Sequence, residues 1–288
     1  MDSAFSWIPY ASYRYDWFLE TFFLHGAFFV MTFVFAVFLI LLILNRKILF
    51  EELKLGKKTA VMLVLIFAIG FWLRNAEYTY GVHSDGYIYA ESARFMLAKG
   101  LFVKNCAFGN IDDCRLYEQA LYPPGYAFLI VLPSLLFGFS SLYAPIISAI
   151  LSSATIILLF FIGRALFKSD LAGLYTASVF ALFPLDLMFA STGNVRASAN
   201  FFLALTIFIF LIALKHKKFL VSCLLATSLS LTLYMHQQYV ALLFPLALML
   251  LWEHKQSLRH LKNPAHGVAA LLLFFLLSTV FFYWLIFS

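Results

Sequence analysis

Residues 21–44, TFFLHGAFFVMTFVFAVFLILLIL, run for two dozen positions without an aspartate, glutamate, lysine or arginine. A helix of about 20 apolar residues is what a bilayer's hydrocarbon core, about 30 Å thick, requires for one crossing. Comparable runs recur at about 59–73, 143–163, 171–189, 199–214, 218–235, 238–252 and 267–287. The expected architecture is therefore all-α: a polytopic integral membrane protein with about eight transmembrane helices forming a single membrane domain over 1–288. Composition agrees, since hydrophobic residues make up 64% of the chain and charged ones 12%, against about half and about a quarter in soluble domains. The first twenty residues, MDSAFSWIPYASYRYDWFLE, are aromatic and acidic rather than basic and then apolar. The first run is accordingly expected to stay as a membrane helix rather than act as a cleaved signal.

The net charge of +6 does not call for nucleic acid, because its distribution has a membrane explanation. Segments 45–58, 163–170, 215–218 and 253–263 hold thirteen of the 20 lysines and arginines. By the positive-inside rule these four face the cytoplasm. The N-terminus, the loop 74–142, the turns 190–198 and 235–238 and the C-terminus then face outward. Residues 122–139, YPPGYAFLIVLPSLLFGF, are apolar enough to tempt a further crossing. Counting it would turn Arg164, Lys168 and the lysines of 215–218 outward, and Pro123, Pro124 and Pro133 interrupt it. It is expected as a short interfacial helix.

The loop 74–142 is the one long polar region and carries Glu77, Asp85, Glu91, Asp112, Asp113 and Glu118. Within it, residues 86–99 pattern as an amphipathic helix, with Ile88, Tyr89, Ser92, Phe95 and Met96 at helical spacing and Glu91, Arg94 and Lys99 polar. Gly100 supplies the stop. Asp85 stands at the N-terminal end, where a carboxylate reads equally as a helix cap favoured by the dipole or as a catalytic group. Cys106 and Cys114 lie in the same loop, where an oxidising outer compartment would permit a bridge without requiring one.

Three features follow one another here: DGYIYAESARFMLAKG, then YPPGYAFLIVLPSLLFGFSSLYAPIISAI, then GRALFKSD leading to a span that ends ALFPLDLMFAST. In that order they resemble the membrane-embedded GT-C glycosyltransferases, specifically the protein O-mannosyltransferase and lipid A aminoarabinose transferase group and the catalytic subunit of oligosaccharyltransferases. The resemblance covers roughly residues 60–215. It implies a sugar donor carried on polyprenyl phosphate or diphosphate, and a loop carboxylate, here Asp85, that activates the acceptor or helps hold a divalent metal. It also implies an acceptor that is a protein, a lipid or a glycan. A carboxylate there would take the acceptor's hydroxyl proton as the anomeric carbon is attacked, with inversion.

The chain departs from that pattern in the next outer turn, STGNVRASAN, which lacks the usual second carboxylate and offers Asn194 and Arg196 instead; Asp186 precedes it. So few oxygen ligands argue against a metal site. Arg196, and likewise Arg74, reads either as a guanidinium for the donor phosphate or as a snorkelling arginine at the bilayer edge. His236 and Gln237, with Gln238, form an outer turn that is either simply solvated or binds sugar hydroxyls or phosphate. Glu77, on the approach to the loop, could fold back towards Asp85, though nothing in the sequence requires it. Glu91, six residues further along the helix, is expected to face solvent or a basic partner. Tyr87, Tyr89 and Tyr122 are candidates for stacking on a sugar. The expected location is a plasma membrane, or the endoplasmic reticulum in a eukaryote, with the Asp85 loop outside. The alternative is a non-catalytic relative that binds lipid-linked sugar or a partner membrane protein, which the missing carboxylate favours. A transporter is disfavoured, because no carboxylate is read in mid-span and no broken helices are related by a repeat.

Overall fold

The computed structural model describes residues 12–75, 84–99, 123–216, 218–242, 272–274 and 276–278; for 12–27, 84, 85, 98, 99, 237 and 242 it describes the backbone alone. Among these residues every regular element is helical. In chain order they are α1 (Ser12–Leu44), α2 (Arg46–Glu52), α3 (Lys57–Asn75), α4 (Ser84–Lys99), α5 (Gly125–Phe137), α6 (Tyr143–Phe167), α7 (Asp170–Ala181), α8 (Pro184–Ser191), α9 (Val195–His216) and α10 (Phe219–Met235), followed by a 3-10 turn, Gln237–Leu242. Helices α3, α6 and α9 are each long and apolar enough to cross a membrane. The count among the described residues rises to five if each of two bent pairs, α1 with α2 and α7 with α8, is taken as one crossing. The expected runs 238–252 and 267–287 lie mostly outside the described residues.

Helices α6 and α9 form the centre, with an apolar core on each side. On one side Met31, Val34 and Phe38 of α1 meet Tyr89, Ala93 and Met96 of α4, Tyr126 and Phe128 of α5, and Leu224, Leu231 and Tyr234 of α10. On the other, Leu63 of α3 and Ala177 and Ala181 of α7 pack on Ile156, Phe160 and Phe161 of α6 and on Phe208 and Ile212 of α9. The outward faces are apolar too: Phe29, Phe33, Ile43, Val61, Val64, Trp72, Leu171 and Tyr175 are all more than half exposed. So broad an apolar surface would be unsupportable in water; facing acyl chains, it is the ordinary condition of a membrane helix.

Two bends shape the bundle. Helix α2 turns 68° from α1 at Asn45, whose buried Nδ2 donates to Leu41 O (2.8 Å) and to Leu220 O (3.1 Å), tying the corner to the start of α10. The run expected as one span over 171–189 is instead two helices, α7 and α8, meeting at 56°. Pro184 is the cause: it has no N–H to give the carbonyl of Phe180, and it opens α8 at its first position.

Three of the four segments richest in lysine and arginine, 45–58, 163–170 and 215–218, share one end; 253–263 lies outside the described residues. Arg164 donates to Lys54 O (2.8 Å) and to Glu52 O (2.9 Å), and Lys215 Nζ and His216 Nε2 both reach Glu52 Oε1, at 2.7 and 2.8 Å. The opposite end gathers α4, α5, the first turn of α6, the turn 192–194 and the end of α10. Helix α5 belongs wholly to that end. Its thirteen residues span about 20 Å, short of a crossing, and its first turn touches Ala144 while its last is joined to Tyr143 by a five-residue link.

Candidate functional site

Tyr126 is the hub of the end opposite the basic loops. It follows Pro123, Pro124 and Gly125 into the first turn of α5 and is fully buried. Its hydroxyl lies 2.7 Å from Ala144 O, 2.7 Å from Ser148 Oγ and 3.0 Å from Gly193 O, so a single phenol joins α5, α6 and the turn before α9. Desolvation pushes that phenol well above its ordinary pKa, against smaller opposing hydrogen bonds from Ser148 and Ser198, so it remains a proton donor. Gly125 beside it permits the approach. A Cβ there would stand 2.5 Å from the carbonyl oxygen of Tyr234, near the end of α10.

Helix α4 is docked on this hub through Tyr89, whose ring meets that of Tyr126 edge-on at 5.1 Å. The helix begins at Ser84, two residues earlier than the sequence pattern suggests. Asp85 is therefore its second residue, one turn before Tyr89; its side chain lies outside the described residues. Tyr87 is exposed. Of the two surroundings expected for Glu91, solvent or a basic partner, the structure shows the second: it is buried and pairs with Arg94 one turn on at 2.7 Å. Glu77, Tyr122, Cys106 and Cys114 and the side chain of Gln237 also lie outside the described residues.

The turn 192–194 carries Arg196 into position. Gly193 takes a left-handed conformation (φ +72°), which glycine adopts without strain, and Asn194 then caps α9 by accepting the Arg196 N–H on its side-chain oxygen at 3.0 Å. Arg196 is exposed, with its guanidinium 5.5 Å from the centre of the Phe189 ring. His236 at the close of α10 is buried; its Nδ1 accepts the Gln238 N–H at 3.3 Å and its ring lies edge-on to Tyr239 at 6.0 Å. The structure thus brings Arg196, His236 and the start of α4 to the same end of the bundle.

Beneath this surface lies a buried polar chain that the sequence did not announce. Arg74 is 0% exposed, which overturns the snorkelling reading. Its Nη2 donates to Asp186 Oδ2 at 2.9 Å, its Nε donates to Ser152 Oγ, and Ser152 in turn donates to the same carboxylate oxygen. The guanidinium also caps the broken end of α7, donating to Ala181 O at 3.1 Å and to Phe180 O at 3.2 Å. Pro184 denies Phe180 O its helical donor, which the Phe183 N–H replaces at 3.1 Å, and Arg74 adds a donor to this carbonyl and to that of Ala181. On the other side, Asn200 Nδ2 donates to Asp186 Oδ1 at 3.3 Å and Tyr239 OH donates to Asn200 Oδ1 at 2.9 Å. Asp186 is marked in the sequence only as a carboxylate just before the outer turn, two residues after a proline, and Asn200 and Tyr239 give no local signal.

These donors do not suit a cation. Asp186 is neutralised by Arg74 and receives hydrogen bonds on both oxygens, and among the described residues no three histidine, cysteine, aspartate or glutamate side chains gather as metal ligands. Among the described side chains, the chemistry at this end is that of an exposed guanidinium, hydroxyls and amides, which suits a phosphate and a polyol.

A sequence model of the dolichyl-phosphate-mannose-protein mannosyltransferase family matches residues 122–284, more than half of the chain. The match takes in α5 to α10, with the Tyr126 hub, Asp186, Arg196 and Tyr239, and begins after α4 and Asp85. Where the resemblance read from motifs covers 60–215, the family match starts later and runs on to 284. No curated protein matches the chain.

Proposed function

Because the chain belongs to the dolichyl-phosphate-mannose-protein mannosyltransferase family, a family of multi-pass membrane glycosyltransferases of the GT-C type, we propose that it moves a sugar from a polyprenyl-phosphate lipid to an acceptor hydroxyl at the end of the bundle holding α4 and Arg196. The observation that carries this is the Tyr89–Tyr126–Gly193 contact chain, which sets the start of α4 and the Arg196 turn around one buried hub. The basic loops at the opposite end support an outward-facing site.

In this reading Asp85 takes the proton from the acceptor hydroxyl as its oxygen bonds to the anomeric carbon. The bond from that carbon to the phosphate oxygen breaks on the opposite face, and the polyprenyl phosphate departs with the electron pair. Arg196 holds the phosphate and offsets the charge that accumulates on it as it leaves. No metal enters the scheme. The acceptor is a protein, a lipid or a glycan hydroxyl.

The test is sugar transfer by the protein in lipid nanodiscs, supplied with dolichyl phosphate mannose labelled in the sugar and with membrane extract as the source of acceptor. Label is expected to leave the lipid, and Asp85→Asn is expected to slow this by about 100-fold or more, the usual weight of a general base. Undiminished transfer by Asp85→Asn removes that residue from the mechanism. Tight lipid binding without transfer by the unaltered protein supports the non-catalytic binding subunit, the reading favoured by a carboxylate, Asp186, already committed to Arg74.

A further inference from the structure

The hydrogen-bonded chain running up from Arg74 has only one consistent direction. A carboxylate paired with a guanidinium accepts and does not donate, so the Asn200 group facing Asp186 must be its NH2, as the Asn200 Nδ2 to Asp186 Oδ1 contact of 3.3 Å shows. An amide so fixed turns its carbonyl oxygen the other way, towards Tyr239. The Tyr239 hydroxyl, 2.9 Å from Asn200 Oδ1, is therefore obliged to donate. A phenol has one proton and two lone pairs; with the proton committed, only acceptor capacity remains on that oxygen.

The position of this oxygen matters. Asn200 follows Arg196 by one turn on the same face of α9, and Tyr239 is half-buried in the turn beyond α10, its ring braced by His236. The acceptor-only oxygen is thus tied through Asn200 to the face of α9 that carries Arg196 one turn earlier. A ligand whose phosphate meets Arg196 would carry its next substituent past Tyr239.

We propose that Tyr239 is a specificity-determining residue that recognises a hydroxyl of the sugar on the lipid phosphate, accepting a hydrogen bond from it, with Asp186 and Asn200 as the positioning residues that fix its proton. The inference rests on the reading that the site binds a polyprenyl-phosphate sugar, and it names the group that reads the sugar rather than the phosphate. It also assigns a purpose to a buried ion pair whose charges would otherwise cost desolvation for structure alone. Arg74 and Asp186 set the polarity of a chain that ends at the ligand.

The test compares two lipids of equal charge, dolichyl phosphate mannose and dolichyl methyl phosphate, the same phosphodiester without the sugar. Dissociation constants for both are measured on one preparation of the full chain in nanodiscs, so the folded fraction cancels in their ratio. Tyr239→Phe is expected to weaken mannosyl lipid binding by about 3- to 10-fold, the worth of one neutral hydrogen bond, and to leave the methyl diester unchanged. Arg196→Gln is expected to weaken both lipids by the same factor. Asn200→Ala, which frees the Tyr239 proton, is expected to shrink the sugar preference without abolishing phosphodiester binding. A Tyr239→Phe protein with the unaltered ratio overturns the inference and leaves the functional reading standing. Binding of neither lipid by the unaltered protein overturns the functional reading, and this inference with it.

Discussion

Arg74 and Asp186 stand 112 positions apart in sequence and 2.9 Å apart in the fold, both almost wholly buried. Arg74 closes the last turn of α3, ten positions before α4 begins, and Asp186 lies in the first turn of α8, where the helix dipole favours a negative charge. Their contact therefore binds the approach to the Asp85 segment to the bend between α7 and α8. It also supplies the two carbonyls at that bend with donors.

Removing one partner leaves the other charged and buried. Asp186→Ala is expected to destabilise the fold by about 3–5 kcal/mol, and Arg74→Met to do the same, whereas the double variant Arg74→Met with Asp186→Leu should recover a large part of the loss. Thermal unfolding in detergent checks this. A double variant no better than the singles would show that the capping of Phe180 and Ala181, and not the charge pairing, is what Arg74 contributes.

Gly125 is fixed by the approach of another backbone. With a Cβ 2.5 Å from Tyr234 O, Gly125→Ala forces α5 away from α10, and overpacking of this kind costs about 1–3 kcal/mol. The displaced helix carries Tyr126 with it. Sugar transfer is therefore expected to fall in Gly125→Ala protein even at temperatures where the fold survives, as measured by turnover beside the unfolding curve.

Tyr126→Phe tests the hub itself. The substitution keeps the ring that meets Tyr89 and deletes the hydroxyl shared by Ala144 O, Ser148 and Gly193 O. Leaving those buried acceptors without their donor is expected to cost about 1–3 kcal/mol. Amide hydrogen exchange should quicken in the turn 192–194, since that turn loses the bond that pins it to α5. Unchanged exchange there would mean that Gly193 is held by its packing against Pro145 alone.

The long helices were legible because burial in lipid leaves a simple mark: α3, α6 and α9 follow the uncharged runs closely. The break between α7 and α8 was not, since Pro184 in an apolar stretch is compatible with a kinked span as well as with two helices. The apolar sequence neighbours of Arg74 leave it open between a bilayer-edge residue and a phosphate ligand; only a tertiary partner more than a hundred residues away makes its burial affordable. Asn200 and Tyr239 have no periodicity or motif to mark them, as their roles come from the direction of a hydrogen-bonded chain that exists only after α9 and the turn beyond α10 have come together. Asp85 stood out by the opposite logic, as a carboxylate followed by glycine in a chain with few charges.

At the basic end, Glu52 makes a pH-dependent clasp between α2 and the last turn of α9. Burial alone would raise its carboxyl pKa, but the hydrogen bonds from Lys215 and His216 outweigh that and hold it below the ordinary 4.5. A carboxylate with a depressed folded pKa contributes stability that is fully present above its unfolded value and is lost as pH falls through the folded one. Glu52→Gln is therefore expected to lower stability by up to about 1 kcal/mol at neutral pH, a modest sum for a partly solvated cluster. The deficit should shrink only as pH drops below 4.5, where the unaltered carboxyl also becomes neutral. Unfolding midpoints of the two proteins between pH 7 and pH 3 check the sign. A gap that stays constant across that range would show that Glu52 acts through its side-chain packing and neutral hydrogen bonding, and that its charge contributes nothing.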